Sequence, residues 1–175
     1  GPLQGIPPFG VDETIFQPPT QRDRGRGFII GSANRRLVPG KGVDLLLRAV
    51  ATLPGVWRLH IAGEGPERPS LENLARQLGI WDRVQFDGVV TSAQMPGNLQ
   101  QLDALVLASR TQPNWKEQFG RVLVEAMACE VAVIGSDSGE IPHVIGEAGL
   151  IFPEGDEAAL QQHLLAVMQS ASLRD

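Results

Sequence analysis

Cysteine is almost absent from this chain of 175 residues, which contains only Cys129. A single cysteine excludes an internal disulfide framework and favours a reducing compartment, so we expect a cytoplasmic protein. We interpret Cys129 as a small core residue rather than a nucleophile. The chain also has only three histidines, and His60, His143 and His163 show no metal-ligand spacing. We therefore expect no bound metal.

Long apolar runs are missing as well. No run reaches the roughly 18 residues that a membrane-spanning helix needs, and nothing resembles a secretory signal. The net charge of −5 argues against nucleic acid as a partner. A composition of 42% hydrophobic and 20% charged residues fits one soluble globular domain with a sizeable core.

Several common nucleotide-binding signatures are also absent. Gly31 begins no G-x-G-x-x-G fingerprint, and the pair Gly63 and Gly65 lacks the third glycine, which argues against a dinucleotide oxidoreductase. The chain has no P-loop sequence. A receiver-type signalling domain would need an acidic cluster after the first strand, where this chain places arginines.

What the sequence does contain is a regular alternation of short apolar strands and helical segments. The predicted strands are residues 28–30, 57–62, 84–86, 104–107, 131–134 and 150–152. The predicted helices are residues 43–53, 71–78, 93–102, 119–129, 141–145 and 157–169. Such alternation favours an α/β fold, with a parallel sheet flanked by helices.

The first 27 residues differ from the rest of the chain. Residues 1–8 and 17–20 are rich in proline and glycine, which is typical of extended chain or linker, and Gly1 and Pro2 look like the remnant of a protease-cut tag. We therefore expect a linker over 1–27, a globular domain over 28–175, and an origin in a longer protein.

Two glutamates frame the predicted helix 119–129. The helix has apolar residues at three-four spacing and opens at Phe119 and Gly120, so its first amides could hold an anion that glycine lets approach closely. Glu125 should lean back toward that end of the helix, while Glu117 stands on the preceding loop. The two carboxylates would then accept hydrogen bonds from hydroxyls. A solvated mid-helix glutamate is the simpler alternative.

The loops after the other strands share a polar, glycine-bearing character. In a parallel sheet these loops meet at one edge, where ligands bind. The loop after the first strand, residues 31–42, carries Arg35, Arg36 and Lys41, a local positive field suited to a diphosphate. A solvated basic loop remains the alternative. The corresponding loops after the second, third and fifth strands are residues 63–67, 87–90 and 135–142.

An ordered set of five motifs resembles the C-terminal half of glycosyltransferase family 4. The motifs are residues 8–16, 36–42, 61–66, 117–128 and 138–142, and the resemblance extends over roughly residues 7–170. It implies a GT-B enzyme with two Rossmann-like domains, of which this chain would be the second. In that family the C-terminal domain binds a nucleotide-activated sugar, whose glycosyl group is transferred with retention and without a bound metal.

The resemblance also assigns roles to individual residues. Arg36 and Lys41 match the cations that neutralise the donor diphosphate, and Glu117 matches the first glutamate of the Glu-x7-Glu motif, which approaches the transferred sugar. Glu125 matches the second glutamate, which holds the ribose hydroxyls. The remaining matches are to groups around the sugar, the phosphate and the nucleotide, namely the amides near Phe119, Gly120 and Arg121 and the walls formed by Gly63, Gly65 and Val90.

Three positions depart from the family pattern. Four residues precede Arg36 where the family more often has Gly-Arg directly, so either Arg35 or Arg36 could hold the phosphate, although the step from Arg36 to Lys41 favours Arg36. Glu130 stands where a glycine usually ends the motif helix, which should strain a left-handed C-cap. His143 occupies a place where an acid is common.

The resemblance implies a UDP- or GDP-linked sugar as the substrate and no separate cofactor. The implied partners are this donor and an absent N-terminal acceptor-binding domain, through which alone the protein would touch the inner face of a membrane. We expect this fragment to bind nucleotide without turnover. The alternatives are a non-catalytic nucleotide-binding module and one half of a nucleotide-sugar epimerase.

Overall fold

A computed structural model describes residues 11–22, 24–114 and 120–174 as a six-stranded parallel sheet with helices on both faces. The strands are β1 (Phe28–Arg36), β2 (Trp57–Glu64), β3 (Val84–Gly88), β4 (Ala104–Leu107), β5 (Ala132–Ser136) and β6 (Leu150–Phe152). The helices are α1 (Val43–Val50), α2 (Arg68–Gln77), α3 (Met95–Gln100), α4 (Arg121–Ala128), α5 (Ile141–Ile145) and α6 (Glu157–Arg174). The predicted fold class is confirmed.

The strand order is β3-β2-β1-β4-β5-β6. β2 and β3 are added on one side of β1, and β4, β5 and β6 are then added on its other side. β1 pairs with β2 along most of its length and with β4 through Ile30 opposite Ala104 and Gly31 opposite Leu105. A doubly wound sheet of this order has its topological switch point between the first and fourth strands, and ligands bind there, beyond the carboxyl ends.

Two apolar layers cover the two faces of the sheet. On one face the buried side chains of α1, α2 and α6, such as Leu46, Leu71 and Leu160, pack against the sheet. On the other face α4 and α5 contribute buried side chains such as Leu123 and Ile141. Successive strand residues point to opposite faces, so a central strand contributes side chains to both layers, and the short strand β4 is apolar and buried throughout.

Four of the strands, β1, β2, β3 and β5, are longer than the apolar runs that predict them, whereas β4 and β6 have the predicted bounds. β1 continues to Arg36, which pairs with Glu64 at the end of β2, because the backbone ladder does not need apolar side chains. The prediction that Gly31, Gly63 and Gly135 lie in loops is therefore wrong: all three lie within strands.

Helix boundaries also shift. α1 ends at Val50 rather than at residue 53, which directly precedes Pro54 and so is disfavoured in a helical conformation. α2 begins at Arg68, three residues before the prediction, because Pro69 is compatible with the first turn of a helix. α3 is shorter than predicted, and α6 continues five residues further.

The end of α4 agrees with the expectation of strain. Glu130 follows the helix with a φ of 59°, the left-handed conformation that a glycine would adopt without a steric penalty. The Cys129 side chain is buried in the core, and burial raises the pKa of its thiol.

The segment before β1 is anchored on the domain. The Phe16 ring packs against the second apolar layer. Arg22 donates to the carbonyl oxygens of Leu102 (2.8 Å) and Cys129 (3.4 Å), and Arg26 donates to that of Gln101 (2.7 Å). Cations are favourable at helix C-termini, where carbonyl groups lack helical partners. Arg22 and Arg26 thus hold this segment against the ends of α3 and α4.

Candidate functional site

The candidate site lies where β1 and β4 end side by side. The chain leaves β1 for α1 on one face and leaves β4 for α4 on the other. A crevice opens between two connections that diverge in this way, and the amino ends of both helices are directed toward it. The site therefore consists of the β1–α1 connection, the β4–α4 connection and the strand ends beside them.

The β1–α1 connection is a tight turn held against β4. Residues Pro39–Lys41 form a short 3₁₀ turn, and Gly42 follows in the left-handed conformation, with a φ of 65°. A Cβ atom on Gly42 would lie 1.9 Å from the carbonyl oxygen of Ala108, so only glycine fits. Lys41 is thereby fixed at the last position of a turn that touches the chain after β4.

Both arginines before this turn are exposed. Arg35 and Arg36 end β1, and the pairing of β1 with β2 is irregular between Ala33 and Arg36. Such an irregularity changes the direction of side chains at the end of a strand. The choice between the two arginines as the phosphate-binding residue stays open, and the assignment of Arg36 stays a prediction.

Within the described part of the chain, no side chain caps the start of helix α4. Gly120 is its N-cap residue, and a Cβ atom there would lie 2.7 Å from Cδ1 of Leu123, so a larger residue would require the Leu123 side chain to move. The first amides of an α-helix have no intrahelical partner and can bind an external acceptor. The predicted site residues Glu117 and Phe119 lie outside the described residues.

Glu125 lies just over one turn into α4 and is largely buried. Its side chain is 15% exposed, and its Oε2 lies 3.8 Å from Nε of Arg121, whose own side chain is 64% exposed. Burial raises the pKa of the Glu125 carboxyl, and Arg121 opposes this only in part. The domain thus holds a desolvated carboxylate on the helix that opens at the switch point.

Gly63 and Gly65 lie at the end of β2, and the fold itself requires them. A Cβ atom on Gly63 would lie 2.7 Å from the carbonyl oxygen of Asn34, and one on Gly65 would lie 2.5 Å from that of Leu37. Both glycines allow the β2 end to approach the β1 end. Val90 is half-buried just after β3, two strands from β1. That Gly63, Gly65 and Val90 line the nucleotide site stays a prediction.

Sequence reasoning missed Arg110, which joins the two connections. Its backbone N–H donates to the carbonyl oxygen of Gly40 (2.8 Å), and its guanidinium donates to the carbonyl oxygen of Pro39 (3.3 Å) and to Oδ2 of Asp44 (2.8 Å). The only available signal was its position three residues after the end of β4, at the binding edge of the sheet. Its partners are distant in the sequence, so spacing could not reveal them.

A second missed group ties the β4–α4 connection to β5 and β6. The Thr111 hydroxyl lies 3.0 Å from that of Ser138, and Glu154 accepts two hydrogen bonds from Thr111. The Glu154 backbone N–H in turn donates to Asp137 (2.9 Å). These contacts hold the pKa of the Glu154 carboxyl below its usual range, chiefly through the Thr111 backbone N–H.

A cavity of about 380 Å³ lies elsewhere, at the outer edge of the sheet beside β3. Its lining includes several cations and aromatic rings, but two of its arginines have partners within the fold. Arg68 pairs with Glu72 at 3.5 Å, and Arg83 donates to the carbonyl oxygen of Trp57 (3.3 Å). The switch point, where backbone amides and Lys41 are gathered, is the better candidate site.

The described residues contain no group of three or more potential metal ligands close enough to hold an ion. The histidines are dispersed: Nδ1 of His60 lies 3.5 Å from Asp87, Nε2 of His163 lies 2.9 Å from the carbonyl oxygen of Ile151, and His143 is exposed. Among the helices of the described ranges, none combines the length and apolar character needed to cross a bilayer.

A family model described as glycosyl transferases group 1 matches residues 17–175 of the chain. The GDP-mannose-dependent alpha-(1-6)-phosphatidylinositol monomannoside mannosyltransferase of Mycolicibacterium smegmatis is 33% identical over 176 residues, covering 90% of this chain and 45% of that protein. The D-inositol 3-phosphate glycosyltransferase of the same organism is 35% identical over 79% of this chain and 33% of that protein. The chain thus spans less than half the length of these curated relatives.

Solved structures are also similar to this chain. The crystal structure of the C-terminal domain of a group 1 family glycosyl transferase (LpcC) from Francisella tularensis has a TM-score of 0.79 and 27% identity, covering 94% of this chain and 91% of that one. HepE from Anabaena in complex with UDP has a TM-score of 0.76 and 25% identity, covering 93% of this chain and 46% of that one. Both are similar to this chain along nearly all of its length.

Proposed function

Because the chain belongs to the glycosyl transferases group 1 family, we propose that it is the donor-binding domain of a retaining, family 4 glycosyltransferase. The whole enzyme transfers a glycosyl group from a nucleotide-diphosphate sugar to an acceptor. The observation that carries this proposal is the meeting of the Lys41 turn with the β4–α4 connection at the topological switch point.

The chemistry of the leaving group gives Lys41 and Arg36 a role in the proposed reaction. When the bond between the sugar and the diphosphate breaks, negative charge grows on the departing phosphate. Lys41, Arg36 and the first amides of α4 supply positive charge and hydrogen-bond donors that need no reorganisation at that moment. In this account Glu117 orients the transferred sugar, and the cations stabilise the departing charge.

Glu125 has a separate role in holding the ribose hydroxyls. A largely buried carboxylate whose one described cationic partner lies 3.8 Å away retains unused acceptor capacity. Burial raises the pKa of this carboxyl, which marks a desolvated group whose charge ribose hydroxyls would satisfy by donating hydrogen bonds.

The relatives indicate which donors to test first. The mycobacterial mannosyltransferase is GDP-mannose-dependent by its name, and the Anabaena structure contains UDP. GDP-mannose is therefore the first donor to assay and UDP-glucose the second. The nucleotide base would be bound near Val90, at the far side of the crevice from α4.

The acceptor site belongs to the rest of the enzyme. We propose that an N-terminal domain completes the cleft and binds the acceptor, so that residues 1–175 alone bind nucleotide but do not turn over. We further propose that the enzyme is cytoplasmic and that any contact with the inner face of a membrane is made by that N-terminal domain.

The transfer proposal is tested on the two-domain parent protein. We expect transfer from one of the two donors, with the anomeric configuration retained in the product by NMR. Lys41→Ala should lower the rate by about 10²–10³-fold, the usual cost of removing one group that stabilises developing charge. An inverted product would refute the retaining assignment. A parent that binds donor but neither transfers nor hydrolyses it would support a non-catalytic binding module instead.

A further inference from the structure

We propose that Arg110 is a positioning residue that fixes Lys41 against the donor diphosphate. This inference rests on the proposed function, because it assumes that Lys41 faces the diphosphate. It assigns to a residue of the β4–α4 connection a role on the other side of the crevice, in the β1–α1 connection.

The contacts of Arg110 lie on both sides of Lys41 in the chain. Two of the three acceptors are the carbonyl oxygens of Pro39 and Gly40, at 3.3 Å and 2.8 Å, and directly precede Lys41. The third is Oδ2 of Asp44, at 2.8 Å, in the first turn of α1. The backbone between these points has little freedom to move.

The backbone after β4 also restricts the position of the Pro39–Lys41 turn. Gly42 lies directly against the Ala108 carbonyl oxygen, so the turn already touches the chain after β4 before Arg110 is considered. The Arg110 and Asp44 side chains are 28% and 33% exposed, so their ion pair is partly shielded from water. Arginine suits this position because its planar fork donates to two acceptors at once, whereas a lysine ammonium acts as a point charge.

A positioning role predicts a selective loss. If Lys41 binds the terminal phosphate, loosening its turn should weaken binding of a nucleoside diphosphate and leave binding of the corresponding monophosphate nearly unchanged. A merely structural role would weaken both ligands together or only lower thermal stability. The ratio of the two affinities therefore separates the two roles.

The experiment is a calorimetric titration of residues 1–175 with GMP and GDP and with UMP and UDP. For the pair that wild type binds, Arg110→Lys should reduce the diphosphate preference about tenfold, the cost of disturbing hydrogen bonds to charged groups. Asp44→Ala, which removes the anchor and keeps Arg110, should reduce it in the same direction and serves if Arg110→Lys does not fold. Arg68→Lys, an ion-paired arginine on α2, is the matched control and should keep the preference.

The outcomes distinguish the two claims. If wild type shows no preference for the diphosphate, the proposed function fails, and the inference fails with it. If wild type shows the preference and both Arg110→Lys and Asp44→Ala retain it, only the positioning role is overturned. Loss of the preference in these two variants, but not in Arg68→Lys, supports the inference.

Discussion

Thr111 and Glu154 are joined by two hydrogen bonds, from the Thr111 backbone N–H to Oε1 (2.9 Å) and from its hydroxyl to Oε2 (2.8 Å). Glu154 follows β6 and Thr111 follows β4, so the pair spans the carboxyl end of β5. The start of the β4–α4 connection is consequently held from both directions, by Glu154 on one side and by the contacts of Arg110 on the other.

The Thr111–Glu154 contact should give the domain a pH-dependent increment of stability. Because the pKa of the Glu154 carboxyl is held below its usual range, the increment is present above the ordinary glutamate pKa and is lost as the pH falls through the lowered value. The melting temperature of Glu154→Gln should therefore lie below that of wild type at neutral pH and converge with it in acid, once the pH falls below the lowered pKa of Glu154. The measurement is a series of thermal melts from pH 7 downward.

Glu147→Gln is the matched control, because Glu147 is an exposed glutamate in a turn. Its melting profile should follow wild type across the whole range. A constant difference between Glu154→Gln and wild type at every pH would show that the carboxylate charge is not what holds Thr111.

The buried Glu125 carboxylate should lower the stability of the domain in the absence of nucleotide. Because burial raises its pKa, the folded state is penalised as the pH rises through the interval between the ordinary and the raised value. Glu125→Gln should therefore melt higher than wild type at pH 8, with the gain vanishing in acid. The same variant should bind nucleotide more weakly, because the carboxylate acceptors are lost.

Arg121→Gln is the companion variant to Glu125→Gln. It leaves the buried carboxylate without its described cation and should lower the melting temperature slightly, since the Arg121 side chain is mostly exposed. If Glu125→Gln instead melts below wild type at pH 8, the carboxylate stabilises the fold, and its assignment as an unsatisfied binding group is wrong.

Glu130 offers a stabilising substitution outside the site. Its left-handed backbone, with a φ of 59°, should relax when the residue becomes glycine. We expect Glu130→Gly to gain up to about 1 kcal/mol, because the left-handed conformation costs a non-glycine residue roughly that much. For a domain of this size that gain raises the melting temperature by about 2–4 °C. Glu130→Ala, which keeps the Cβ atom, should show no such rise, and equal gains in both variants would contradict the backbone explanation.

Arg22 tests whether the segment before β1 belongs to the folded unit. Arg22→Ala removes a part-buried guanidinium from the carbonyl oxygens of Leu102 and Cys129 and should destabilise the domain by about 1–3 kcal/mol in urea unfolding. Arg35→Ala, at an exposed arginine, is the control and should change stability by less than about 0.5 kcal/mol. Equal urea midpoints for Arg22→Ala and wild type would mean that the segment before β1 does not contribute to the stability of the folded domain.

The alternation of apolar strands and helical segments was enough to predict the fold, since each of the six strands and six helices has a counterpart in the structure. Strand ends were harder to predict. Beyond residue 30, β1 continues through polar residues to Arg36, held by a backbone ladder that leaves no mark on side-chain polarity. Helix starts shifted where a proline in the first turn, such as Pro69, extended the helix backward.

Sequence reasoning proposed site residues only where they lie close together in the chain. The Lys41 turn, Gly120 and Glu125 were proposed because short motifs contain them, and their roles stay predictions. Arg110 was not, because its partners Pro39 and Asp44 lie 71 and 66 residues away and meet it only after the sheet has formed. Nothing in the local sequence distinguishes such a residue from a solvated arginine.

The central claim is that residues 1–175 bind a nucleoside diphosphate at the switch point. The direct measurement is a calorimetric titration of this chain with GDP, UDP and ADP, repeated on Glu125→Ala. We predict saturable binding of at least one of the three, weakened by about 1–3 kcal/mol in the variant through loss of a hydrogen-bonded carboxylate. Absence of binding by all three at millimolar concentration, or an affinity that Glu125→Ala leaves unchanged, would contradict the account.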